Sequence, residues 1–231
     1  MEKEKREDMI KYFSEKQKEL AEQIKLHSDS DLEIKLTAGV DLVYWEQEGE
    51  EYAVCCIIVS DFNTGEIIEK KCLSDKITIP YIAGYLSFRE LPLILATYNL
   101  LEQNPDIILF DGNGYLHPRH MGIATHASFY LNKPTIGIAK SYLKIGGIDY
   151  TMPGNEAGDY TDIVIDNTVY GRALRTQSNI KPIFVSVGNG IDLDTSVKII
   201  MALINKESRQ PYPIRLADIE TKKYRREEAT T

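Results

Sequence analysis

The chain has 231 residues, 43% of them hydrophobic and 27% charged, with a formal net charge of −8. These values fit one soluble globular domain with a sizeable core and exclude a disordered chain. No apolar run approaches the ~18 residues needed to span a bilayer, so no membrane partner is expected. The acidic balance counts against nucleic acid, whose partners usually carry an excess of positive charge. A local basic groove, or divalent cations bound among clustered carboxylates, would reconcile the two.

Residues 1–8 are charged and lack the apolar core of a signal peptide, so the cytoplasm is the expected location. Residues 4–25 place Met9, Ile10, Phe13, Leu20 and Ile24 at helical spacing among charges, which predicts an amphipathic helix lying on the domain. Residues 36–44 read as a strand, 47–50 as a turn and 52–59 as a β-branched apolar strand. Asn63-Thr-Gly65 is a hairpin signal before a third strand at 67–73, so an antiparallel meander of three strands follows. Cys55 and Cys56 would point to opposite faces of their strand, and Cys72 stands alone. Without a CxxC spacing, neither a zinc knuckle nor a disulfide framework is indicated.

The pattern changes after Pro80. Residues 91–101 and 122–131 have helical spacing, while 107–110, 134–139, 163–165 and 182–187 read as short buried strands. Residues 192–205 read as a helix with Asp194 or Thr195 as N-cap, and the charged tail from Thr221 onward as loose chain. A meander followed by βαβ units predicts an α/β fold with a mixed sheet, antiparallel then parallel, flanked by helices. With no repeat and no low-complexity linker, residues 1–231 form one expected domain.

Three carboxylates stand out. Asp41 lies inside an apolar strand, Asp111 ends the run Ile107-Ile-Leu-Phe110, and Glu90 follows Ser87-Phe-Arg89. Parallel neighbouring strands would bring Asp41 and Asp111 together at a sheet's carboxyl end, where ligands bind, with Glu90 closing the site. Oxygen-only ligation of this kind suits Mg²⁺, with Mn²⁺ able to substitute. Each residue also has a plainer reading. Asp111-Gly112 makes a good turn, Asp41 could face solvent, and Ser87-x-x-Glu90 matches a capping box. Pro92 weakens the capping box, because a helix starting at Ser87 would hold proline beyond its first turn; a start nearer Pro92 leaves Glu90 at the threshold. His117, His120 and His126 offer a weaker zinc alternative without a cysteine or acid to complete it. Lys140 ends a strand at a carboxyl edge, or is an ordinary surface lysine.

Taken together in order, these segments resemble the endonuclease V family. The resemblance runs from about residue 38 to 218 and rests on AGVD at 38–41, PYIAG at 80–84, LSFRE at 86–90, DGNGYLHPR at 111–119, GIATH at 122–126 and GIAK at 137–140, with Arg175-Thr176, Lys181-Pro182 and Val185-Ser186. It implies a ribonuclease H-like fold and a metal-dependent endonuclease. Such an enzyme recognises inosine in DNA or RNA and hydrolyses the second phosphodiester bond on the 3′ side, leaving 3′-hydroxyl and 5′-phosphate ends. The matching positions imply Asp41, Glu90 and Asp111 as metal ligands, Asp218 as a fourth, and Lys140 as a catalytic cation. Pro80, Tyr81, Ile82 and Ala83 match a wedge whose aromatic replaces an extruded base. Gly84, Leu86, Gly112, His117, Gly122, Ile123, Gly137 and Ala139 match the surroundings of that base. The chain departs from the family at Ala83, where the wedge usually ends in proline, at Asn189 for a histidine, and at Ile214 for a threonine. A monomer is expected. Two other readings stay open: a non-catalytic module binding inosine-containing nucleic acid, and a different metal-dependent phosphoester hydrolase.

Overall fold

A computed structural model describes residues 2–28 and 32–228. In chain order the elements are α1 (Glu2–Ala21), β1 (Leu36–Gln47), β2 (Glu50–Asp61), β3 (Ile67–Lys76), α2 (Leu86–Tyr98), β4 (Ile107–Asp111), α3 (Ile123–Leu131), β5 (Thr135–Ala139), β6 (Tyr160–Ile165), β7 (Thr168–Leu174), β8 (Ile183–Asn189), α4 (Leu193–Ala202) and α5 (Tyr212–Glu228). The strands form one eight-stranded sheet in the order β3-β2-β1-β4-β5-β8-β7-β6. β1 pairs antiparallel with β2 and parallel with β4, and β4 pairs parallel with β5. The meander and the parallel portion expected from patterning are therefore both present.

Alternation along the central strands splits the core between the two faces. Ile108 and Phe110 of β4, with Ala38 and Val40 of β1, pack under α2 and α3. Ile107 and Leu109, with Ile136 and Ile138 of β5, face α4 and Ile214 of α5. Strands covered on both sides must be apolar at every position, which is why β4 and β5 read as unbroken hydrophobic runs.

Several expectations are corrected. β7 was not anticipated: Asp166 and Asn167, at φ 48° and 60°, turn β6 tightly into it without a glycine. α2 begins at Leu86, not near Pro92, and holds Pro92 inside; its N-cap is Tyr85 without a side-chain bond. Ser87 is buried and its Oγ shares a hydrogen bond of 2.6 Å with His126 Nδ1, so the capping box does not form. The N-cap of α4 is Asp192, whose carboxylate accepts from the Thr195 backbone N–H at 2.7 Å. Residues from Thr221 are not loose: α5 continues to Glu228, and Thr221 is fully buried, while 229–231 lie outside the described residues. Cys56 and Cys72 are disulfide-bonded, because the β2–β3 register sets them directly opposite each other despite their separation of 16 residues. Cys55 is free and buried on the other face.

Candidate active site at the carboxyl end of the parallel strands

β1 and β4 run parallel, with Val40 beside Phe110, so the next residues, Asp41 and Asp111, emerge side by side. β5 follows on with Ile138 beside Asp111, which places Lys140 just past its end. α5 crosses the same face and brings Asp218. One oxygen from each of Asp41, Asp111 and Asp218 lies within 4.8 Å of the others. Lys140 Nζ stands 2.5 Å from Asp111 Oδ2 and 3.3 Å from Asp218 Oδ1. Asp218 sits on a helix and is only 4% exposed. It also accepts from Lys222 Nζ at 2.8 Å and from Arg215 Nη1 at 2.8 Å.

Glu90 is not part of this group of three. It projects from α2, on the opposite face, and its Oε1 accepts from Tyr44 Oη at 2.8 Å. The four carboxylates differ in how they meet their surroundings. Burial, followed by the charge of Asp111, pushes Asp41 well above the ordinary carboxylate range. Burial pushes Glu90 up to about 7 against the hydrogen bond from Tyr44. At Asp218 burial acts upward too, but Lys222 and Lys140 outweigh it and the net shift is downward. Burial acts to lower Lys140, and its bond to Asp111 with the surrounding acids raises it instead. Three carboxylates converge on one point, one of them held above its ordinary range, and an all-oxygen donor set of this kind fits a hard divalent ion.

Next to Asp111 opens a cleft of about 420 Å³ lined by Tyr81, Ala83, Gly84, Leu86, Gly112, Asn113, His117, Arg119, Gly122, Ile123 and Leu143, among others. Six of the positions expected around a flipped base, Gly84, Leu86, Gly112, His117, Gly122 and Ile123, therefore meet in one place with Tyr81 and Ala83 of the expected wedge. Tyr81 is 64% exposed at its rim. Ile82 instead turns inward and is buried. Gly137 lies underneath, where a Cβ would stand 2.3 Å from the Gly114 nitrogen and 2.6 Å from the Asn113 carbonyl carbon. It lets the 112–114 segment rest on β5. Ala139, also in β5, and Pro80 do not line the cleft. Sequence reasoning missed Arg119 as a wall residue, Tyr44 as the partner of Glu90, and Gln17 as the partner of Arg119.

The three histidines do not meet as metal ligands, since the metal-competent group among the described residues contains none of them. His120 stacks on Tyr115 with centroids 3.9 Å apart. His117 Nδ1 accepts from the backbone N–H groups of Arg119 and Met121 at 3.2 and 3.3 Å. His126 is fully buried and its Nε2 has no hydrogen-bond partner, so a charged imidazolium would be stranded there. Burial accordingly lowers it to about 4 from 6.5. As pH falls, the unfolded chain takes up this proton first; the stability tied to the neutral ring is complete above about pH 6.5 and is lost as pH falls to about 4. The stability gap between the wild type and His126→Leu should narrow by about 3 kcal/mol from pH 7 to pH 4. Urea denaturation across that range measures it, and a gap independent of pH would show that the ring is not held neutral.

An eight-stranded mixed sheet flanked by helices, with carboxylates and a lysine at the end of its parallel strands, defines the ribonuclease H-like class of nuclease fold. The family model described as Endonuclease V matches residues 18–219. An Endonuclease V from Bacillus thuringiensis subsp. konkukian is 59% identical over 219 residues, covering 94% of this chain and 93% of the relative. The crystal structure of the Bacillus subtilis Endonuclease V superposes with a TM-score of 0.91 at 57% identity, covering 94% of this chain and 92% of that one. The Ciona intestinalis Endonuclease V, solved in complex with a 24mer DNA containing an inosine followed by a ribo-adenosine, gives a TM-score of 0.84 at 29% identity over 95% of this chain and 99% of that one. The chain belongs to the endonuclease V family and is an endonuclease.

Proposed function

We propose that this endonuclease recognises inosine in a nucleic-acid strand and hydrolyses the second phosphodiester bond on its 3′ side, with Mg²⁺ as cofactor. The observation that carries the reading is the direct junction of the acidic group and the cleft. Asp111 belongs to the first and Gly112, its neighbour, lines the second. The inosine-containing DNA bound by the Ciona relative supports the choice of base.

Asp41, Asp111 and Asp218 would hold the ion, with Glu90 behind them. Bound there, Mg²⁺ supplies an activated water and neutralises charge on the phosphate. Lys140 adds a fixed positive charge at the same point, where negative charge grows on the leaving oxygen. Tyr81, exposed at the rim, fills the gap left in the base stack. The glycines keep the cleft walls down to backbone. A backbone N–H facing position 6 donates to the oxygen of hypoxanthine and is left opposed to the amino group of adenine. The cations Lys140, Arg215 and Lys222, gathered at Asp218, offset the negative charge of the three acids at the point where a phosphate would approach. We further propose that the enzyme acts as a cytoplasmic monomer. Among the described residues, no helix is long and apolar enough to cross a membrane.

The test is to incubate end-labelled strands, with inosine or with adenosine at one position, with and without Mg²⁺, and map the cut. Selective cleavage one nucleotide beyond the 3′ neighbour bond supports the proposal. Binding without cleavage would favour a recognition module, and equal cutting of both strands would refute inosine selection. A second test concerns the wedge. Because Tyr81 is 64% exposed, its side chain adds little to folding, and Tyr81→Ala should leave the melting temperature nearly unchanged. Aromatic–base stacking is worth about 1–3 kcal/mol, so activity on duplex inosine should fall by about tenfold or more. The fall should be smaller on a single strand, which has less stack to repair. Equal losses on both substrates would sink the wedge role.

A further inference from the structure

The N-terminal helix braces the cleft wall from behind with a polar side chain, Gln17. Among the described residues of α1, Phe13, Gln17 and Leu20 are the buried positions. Phe13 stacks on Phe88 with centroids 3.9 Å apart and an interplanar angle of 12°. Gln17, between them, is 0% exposed. Its Nε2 donates to the carbonyl of Gly84 at 3.2 Å and lies 3.4 Å from that of Met121. Its Oε1 accepts from Arg119 Nε at 2.5 Å. Arg119 closes the ring by donating from Nη2 to the same Gly84 carbonyl at 2.6 Å, and its guanidinium lies over the Tyr85 ring, 4.2 Å from the centroid. Gly84 takes φ +81°, and a Cβ there would stand 2.8 Å from Arg119 Nη2, so the arrangement needs glycine at that point.

Gly84, Arg119 and Met121 all line the cleft, Gly84 from one loop and Arg119 and Met121 from another more than thirty residues on. One amide side chain thus ties the loop that carries Tyr81 to the loop that carries Arg119. We propose that Gln17 is a positioning residue for base selection, acting through the Gly84 carbonyl and the Arg119 guanidinium to fix the cleft wall. The inference rests on the reading of the cleft as a base site. Gln17 lies just before the segment 18–219 matched by the family model, so no match to that model assigns it a role. A methionine fits the same space without any hydrogen-bonding amide. A loosened wall would no longer hold backbone groups at fixed positions, so the correct base loses its advantage while the chemistry at Asp111 is untouched.

The experiment compares kcat and KM of the full chain on inosine and adenosine strands for the wild type, Gln17→Met and Arg119→Met, with melting temperatures. Gln17→Met should lower the inosine-over-adenosine ratio of kcat/KM by about tenfold, roughly the worth of one ordinary hydrogen bond. The loss should appear in KM for the inosine strand, with kcat within about threefold of wild type, a split that a general loss of folding does not produce. The double variant should lose no more than the worse single variant, because both act through one clamp. An unchanged ratio in Gln17→Met, or equal losses on both strands that follow the melting temperature, would overturn the proposal. Should Gln17→Met fail to fold, Arg119→Met decides: a wild-type ratio there overturns it as well. A wild type that cuts both strands alike would overturn the base-site reading itself, and this inference with it, before any variant is made.

Discussion

Asp111→Asn will abolish strand cleavage while leaving binding of an inosine strand intact. Asp111 is the junction residue, the one carboxylate that touches Lys140 at 2.5 Å, joins the group formed with Asp41 and Asp218, and precedes the cleft-lining Gly112. Asparagine keeps the shape and one oxygen but removes the charge that a divalent cation needs. Removing the outer hydrogen-bond partners of metal ligands already costs about 10–100-fold, so losing a ligand itself should exceed about a hundredfold. Folding should survive. The substitution takes an acid away from Asp41, whose ionisation Asp111 opposes, and it leaves Lys140 with Asp218 at 3.3 Å. The two effects are opposite in sign, so the metal-free melting temperature should move little. Cleavage assays with Mg²⁺, fluorescence anisotropy with an inosine strand, and thermal melts give the three readouts. Wild-type cleavage by Asp111→Asn would remove this residue from the chemistry.

How much of this could be read from residues alone depends on what each feature owes to local pattern. β4 and β5 announced themselves because burial on both faces demands apolar residues throughout. Asp41 and Asp111 were legible for the same reason, as charges interrupting such runs. α5 was not. Its buried positions, Pro213, Ile214, Ala217, Asp218 and Thr221, include a charge and a hydroxyl, and the rest of the helix is crowded with lysine, arginine and glutamate. An apolar stripe that weak resembles a loose tail, although the helix delivers Asp218 to the site. The start of α2 was obscured by Pro92, which is held inside the helix by packing of Leu91, Leu93 and Ile94 against the sheet. Gln17 was hidden differently. It falls on the apolar stripe of α1 between Phe13 and Leu20, and a polar residue at a core position is a signal that reading for hydrophobic spacing alone passes over. Cys56 and Cys72 pair only through strand register, which spacing along the chain does not contain.

Gly39→Ala will separate α5 from the sheet and with it Asp218 from Asp41 and Asp111. Gly39 lies in β1 on the face crossed by α5, two residues before Asp41. A Cβ at this position would stand 2.3 Å from the Pro213 carbonyl carbon, 2.5 Å from the Ile214 nitrogen and 2.5 Å from the Pro213 oxygen. All three are backbone atoms, so no rotamer change can relieve the contact; either β1 bends or the first turn of α5 lifts. Overpacking of this kind costs about 1–3 kcal/mol, visible as a lower melting temperature. The functional loss should be larger than that figure suggests. The oxygens of Asp41, Asp111 and Asp218 sit within 4.8 Å of one another, and Asp218 rides on the helix that must move. Displacing a catalytic group by about 1 Å can lower a rate about a hundredfold even when the protein stays folded. Calorimetric titration with Mn²⁺ should therefore show weakened binding in Gly39→Ala, with cleavage reduced about a hundredfold at temperatures where the variant is still native. Nearby Val40→Ala is the comparison: it removes volume from the opposite face, under α2 and α3, and should lower stability with Mn²⁺ affinity close to wild type. If Gly39→Ala binds Mn²⁺ and cuts like the wild type, then the close crossing of α5 over Gly39 does not position Asp218.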